Sequence, residues 1–130
     1  MRERLIFEAK ELFDPEPEGE YDELPMFGKV ALEYLAAHLP QKGFDVGDIG
    51  PEDWGWVLDI ENPEFWLVVG CGFAGEGDFD LNCFFFPDKP RIWHLFGRQR
   101  KRDRIRKLKD AVEAVLRESG KAHNLRWVVD

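Results

Sequence analysis

The strongest constraint on this chain is how short the connections between its apolar runs are. Strand-like runs at about 54–60, 65–73, 79–86 and 91–96 are separated by Asn62-Pro63, Gly75-Glu76-Gly77-Asp78 and Pro87-Asp88-Lys89-Pro90. Each connection is rich in turn formers. A parallel crossover needs about a dozen residues or more. The spacing therefore predicts a four-stranded antiparallel meander. A further run, Leu125-Arg126-Trp127-Val128-Val129, alternates briefly as a strand near the chain's end.

Two helices complete the pattern. Phe27, Val30, Ala31, Tyr34, Leu35 and His38 recur at helical spacing and predict a helix over about 24–39. Asp22 and Glu23 favour its positive end, and Leu39-Pro40 with Gly43 beyond marks its stop. Ile105, Leu108, Val112, Val115 and Leu116 predict a second helix over about 99–119, ended by Gly120. Two four-apart charge pairs, Asp103 with Lys107 and Glu113 with Arg117, support it. Residues 3–13 fit a helix through Leu5, Ile6, Ala9 and Leu12, and a strand through Leu5, Phe7 and Ala9. Residues 14–23 read as an acidic solvated loop, and Gly43–Pro51 as a loop with three glycines. The expected fold is α+β: one domain over 1–130, a two-layer sandwich with an antiparallel meander sheet and helices mainly on one face.

Alternation divides the aromatic stretch between two faces. Trp54, Trp56, Leu58 and Ile60, then Phe65, Leu67, Val69, Cys71 and Phe73, then Phe79, Leu81, Cys83 and Phe85 are expected under the helices as core. The opposite face would carry Trp66, Val68, Phe84 and Phe86, a candidate interaction face, together with Gly70, Gly72, Asp80 and Asn82. With a turn about Gly77, Cys71 falls opposite Cys83, as two buried thiols rather than a disulfide.

Composition narrows the function classes. The net charge of −8 and pI near 4.9 argue against general nucleic-acid binding, which needs a cationic face. No secretory pattern follows Met1-Arg2-Glu3-Arg4, and no apolar run reaches membrane-span length, so the expected location is the cytoplasm. Ser119 is the single serine and threonine is absent, which removes serine-type nucleophilic catalysis. His38, His94 and His123 fall on separate elements, and no second ligand sits at metal spacing from either cysteine. Gly70-Cys71-Gly72-Phe73-Ala74-Gly75 fits the dinucleotide fingerprint, yet it leads to an acidic turn and a strand instead of a helix. A bulge and a hairpin turn account for these glycines. Asp78, Asp80 and Asn82 begin like a calcium loop, but Cys83 stands where glycine is required and Lys89 where glutamate is. On a strand they read as a polar edge. No catalytic, cofactor or metal residues are assigned.

One segment conflicts with helix electrostatics. Residues 98–109 carry eight of the chain's 18 basic residues and one of its 26 acidic ones. Arg98, Arg100, Lys101, Arg102 and Arg104 crowd the positive end of the second helix, where cations are disfavoured. The cluster is expected to face an anion, and neutralisation from within the chain is the favoured expectation. The acidic loop at Asp14–Glu23 and the acidic turns at Glu52-Asp53 and Glu76–Asp78 are its candidates. RNA, a phosphate-bearing ligand or an acidic protein is the alternative.

The segment Pro51-Glu52-Asp53-Trp54-Gly55-Trp56 resembles one found in small uncharacterised bacterial proteins. The likeness spans about a third of the chain; it implies a bacterial source and no particular chemistry. Read from its residues, Trp-Gly-Trp sets two rings on one face with a glycine where a neighbour comes close.

The leading functional expectation is a non-enzymatic protein-binding module. It would act on a partner, or on itself, through the second sheet face or an acidic surface. An immunity- or antitoxin-like inhibitor that masks a basic surface is one concrete form. The alternative is a small-molecule-binding protein or enzyme whose pocket is rimmed by Glu52, Asp53, Trp54 and Trp56.

Overall fold

The meander forms, but one strand earlier than its turns suggest. The computed structural model describes residues 3–14, 27–75, 77–87 and 98–129. Its elements in chain order are β1 (Glu3–Glu8), α1 (Lys29–His38), β2 (Val46–Glu52), β3 (Gly55–Ile60), β4 (Leu67–Phe73), β5 (Asp80–Phe86), α2 (Arg98–Ser119) and β6 (His123–Val129). Short 3-10 turns follow β1 and α1. The sheet order is β2-β3-β4-β5-β1-β6, antiparallel throughout. This is an α+β fold with an open sheet. The strand expected at 91–96 lies outside the described residues.

The fourth meander strand is β2, where the sequence pattern reads as a loop. Its glycines and Pro51 depress strand propensity, but β2 is an edge strand, where a missing N–H costs nothing to a neighbour. The open question at residues 3–13 resolves as a strand. Leu5, Ile6 and Phe7 are all buried, so β1 is covered on both faces and shows no clean alternation.

Both helices face the same side of the sheet. Leu5, Phe7, Leu58, Leu67, Leu81 and Phe85 meet Leu32, Leu35 and Leu108 in one core. α1 starts at Lys29, later than expected, and buries Leu32 rather than Val30 or Tyr34. Asp22 and Glu23 lie outside the described residues. Gly28 has φ +117°, and its N–H donates to the buried carboxylate of Asp14 at 3.1 Å. The stripe expected on α2 is buried as read, from Ile105 to Leu116. Lys42 Nζ reaches Glu118 at 2.8 Å and ties the turn after α1 to the end of α2.

Glu113 joins α2 to β6. It accepts from Trp127 Nε1 at 2.7 Å and pairs with Arg117 at 2.7 Å. The Trp127 hydrogen bond first, then the Arg117 contacts, hold its carboxyl below the usual carboxylate range. A depressed pKa stabilises the fold above the unfolded-state value, and this contribution disappears as pH falls through the folded-state value. Glu113→Gln is therefore expected to lower stability near neutrality and to differ less from wild type in acid. Urea titrations at the two pH values test this; an equal deficit at both contradicts it.

Cys71 and Cys83 are direct cross-strand partners, both free and buried. The hydrogen bond with Cys83 and then burial push the Cys71 thiol well above its ordinary value. Neither is expected to react with a thiol reagent until the protein unfolds. Fast labelling of the native protein would contradict this placement.

Candidate interaction face

The sheet face away from the helices is built in register rows. Val57, Gly70 and Phe84 form one row, and Asp59, Val68 and Phe86 the next. Gly72, Asn82 and Ile6 form a third. Trp54 is placed across these rows by the β2–β3 hairpin. Glu52 pairs with Gly55, leaving Asp53 and Trp54 as a two-residue turn. The Trp54 ring then lies back over β4. A Cβ at Gly70 would stand 2.3 Å from its Cη2, and one at Gly72 would stand 2.6 Å from the Trp54 carbonyl oxygen. Those two glycines thus make room for an indole and its backbone, not for a bulge or a pyrophosphate.

Four rings follow one another across this face. Trp54 meets Phe84 at 5.4 Å and 70°, and Phe86 at 6.2 Å and 38°. Phe86 meets Trp66 at 6.5 Å and 30°. These separations suit aromatic pairing. Exposure rises toward the tryptophans: Phe84 and Phe86 are half-buried, Trp54 is 42% exposed and Trp66 is 69% exposed.

The candidate face is thus partly as expected. Trp66, Phe84 and Phe86 share a cluster, whereas Val68 is fully buried and offers no surface. Trp54 belongs to the face and not to the core. Strand alternation misplaces it because it sits in the turn, outside the pleat. Two glycines on one face of a central strand are the available signal, since something must fill the space above them. Trp-Gly-Trp therefore splits its rings: Trp56 joins the core, where Lys29 Nζ lies 5.0 Å from its ring centroid. Gly55 is a site of close approach, with Cys71 O 2.3 Å from where a Cβ would stand.

Phe73 and Phe79 are exposed rather than core. They join a second cluster at the other end of the sheet, with Phe13 within 6.0 Å and 5.4 Å of them and Phe27 at 4.5 Å from Phe13. Asp80 and Asn82 are not a polar edge, since both are buried. Asn82 Nδ2 donates to Gly72 O at 3.1 Å, while Asn82 Oδ1 and Asp80 Oδ1 find no donor among the described residues. Asp80 also lines a cleft of about 280 Å³ with Glu8, Lys10, Asp78 and His123. Among the described residues no group of three or more His, Cys, Asp or Glu side chains is arranged to hold a metal ion.

The pocket rim expected at Glu52, Asp53, Trp54 and Trp56 does not assemble. Its two tryptophans lie on opposite faces of the sheet, and the two acids are exposed at the hairpin turn. Among the described residues the basic cluster has the following contacts. Arg100 lies 3.9 Å from Glu64, the Arg104 guanidinium stacks 4.1 Å from the Phe44 ring centroid, and Lys101 is 5.9 Å from that of Phe65. Arg102 is exposed, and the Arg98 side chain lies outside the described residues. Farther along α2, Lys109 pairs with Glu3 at 3.3 Å. Asp14 instead caps Gly28. The rest of the acidic loop, residues 15–23, is outside the described residues, as is Glu76. A cleft of about 410 Å³ separates Asn62–Glu64 from Arg100, Arg104 and Lys107.

No helix among the described residues is long and apolar enough to cross a membrane. Compared with protein-family models, curated proteins and solved structures, the chain finds no match.

Proposed function

We propose that this protein is a non-enzymatic binding module that docks a protein partner through Trp54, Trp66, Phe84 and Phe86. The carrying observation is Trp66, 69% exposed at the end of a four-ring row on the sheet face the helices leave uncovered. Folding gains little from an indole left in water, whereas tryptophan is among the side chains that dominate interface energetics. Half-buried Phe84 and Phe86 give it a firm base, so little order must be imposed on binding. An inhibitor that masks an active surface on another protein is one concrete form. The rival ligand pocket has no comparable support, because its tryptophans lie on opposite faces.

Trp66→Asp is expected to remove the partner while shifting folding stability by no more than about 0.5 kcal/mol, as for other exposed positions. Affinity capture with wild type and variant side by side, together with urea unfolding of both, tests this. Identical partner profiles would sink the docking reading.

A further inference from the structure

We infer that the partner surface docked by this face is basic, an arginine- or lysine-rich segment of another protein. This rests on the docking reading above and adds the chemistry of the occupant. From Gly43 to Asp88 the sequence contains no lysine, arginine or histidine, yet it contains eleven aspartates and glutamates. The segment supplies β2, β3, β4 and β5, and with them all four rings of the cluster. The open face is not free of cations: Arg126 pairs with Ile6 in the row of Asn82 and Gly72, and Arg4, two residues before Ile6, shares its face; both are partly buried, whereas the carboxylates beside the rings are exposed.

The carboxylates reach the rings themselves. Asp59 is in the register row of Val68 and Phe86, and it is exposed. Asp53 precedes Trp54 in the hairpin turn, and Glu52 begins that turn; both are exposed. None of the three forms a salt bridge with a described residue. Among the described residues, Glu64 of the same segment has Arg100 at 3.9 Å, a long contact between exposed groups.

Ring faces carry negative electrostatic potential, so they attract guanidinium and ammonium groups. Adjacent carboxylates attract the same groups and speed the encounter. Anionic partners, nucleic acid included, meet repulsion from both. A neutral apolar segment would satisfy the rings and leave the carboxylates unanswered. A second copy of this chain could offer α2, where Arg102, Arg106 and Lys107 are exposed. Because α2 packs on the other side of the sheet from the rings, one two-fold contact cannot join both pairs of patches at once, and single contacts of that kind propagate into rings or filaments instead of closing a pair. A foreign basic segment needs no such assembly.

The test uses the full chain labelled with nitrogen-15, with nona-arginine as the probe and nona-glutamate and a neutral leucine–glutamine nonapeptide as comparisons. Nona-arginine is expected to shift the indole signals of Trp54 and Trp66 and the amide of Asp59 saturably, and to lose affinity as salt rises. Trp66→Ala and Asp59→Asn should each weaken binding about five-fold, and Asp110→Asn, an exposed carboxylate on α2, less than about two-fold. Shifts centred elsewhere, equal weakening by Asp110→Asn, or equal binding of the neutral peptide would each overturn the inference. So would concentration-dependent association in the ultracentrifuge that both Trp66→Asp and Arg102→Glu abolish, which identifies a second copy as the occupant. The two levels fail separately. If partner capture still depends on Trp66 but nona-arginine binds elsewhere, the basic chemistry falls and the docking reading stands. If capture ignores Trp66, the docking reading falls.

Discussion

Gly28→Val is expected to destabilise the protein by about 3 kcal/mol or more, a large share of the ~5–15 kcal/mol that holds a typical domain together. Two effects combine. Gly28 adopts φ +117°, which a β-branched residue rarely takes, and a Cβ there would stand 2.3 Å from Cys71 O on β4. The obstacle is backbone in a central strand, so no side chain can swing away. Relief requires moving α1, which would also pull the Gly28 N–H from the buried Asp14 carboxylate at 3.1 Å. Gly43→Ala separates the two effects. Gly43 has φ +90°, but nothing lies within 4 Å of where its Cβ would stand, so only backbone strain of about 1 kcal/mol applies. Urea unfolding of both variants tests this, and equal losses would show that α1 does not approach β4 so closely.

Phe85→Ala is expected to cost about 3–5 kcal/mol through lost burial and the cavity left behind. Phe85 is buried on β5, its ring 5.8 Å from that of Trp127 and 5.8 Å from Lys109 Nζ. It therefore supports the junction of β5, β6 and α2. Phe84→Ala, one residue away, should cost less than about 2 kcal/mol, because that half-buried ring faces the other way. Its main effect should be on binding. The same equilibrium unfolding measurements decide the contrast. A reversed order would mean that the faces are misassigned, and the docking proposal would lose its base.

These contrasts show why parity succeeds inside strands and fails at their ends. Phe85 and Phe84 alternate as read because β5 is regular where it pairs with β4. Trp54 and Phe79 stand in turns, where the pleat no longer sets direction, and alternation wrongly assigns both to the core. Phe73 fails for another reason. It is the last residue of β4, on the correct face but beyond the cover of the helices. Of the candidate face, Trp66, Phe84 and Phe86 are legible in the sequence. Trp54 is missed by alternation, and Val68 lies beneath the surface.

Local sequence patterns are enough for the fold class, the two helices, the facing cysteines and the buried stripe of α2. These follow from local patterns: short turns forbid crossovers, and apolar spacing sets the face of a helix. That β2 is a strand and that β1 lies between β5 and β6 depends on contacts between distant parts of the chain. Edge position tolerates glycine and proline, and burial on both faces erases alternation; neither condition is written in a local window. The same holds for the candidate face. Trp54 lies over Gly70 and Gly72 because a turn and a distant strand meet in space, and that meeting brings four rings together.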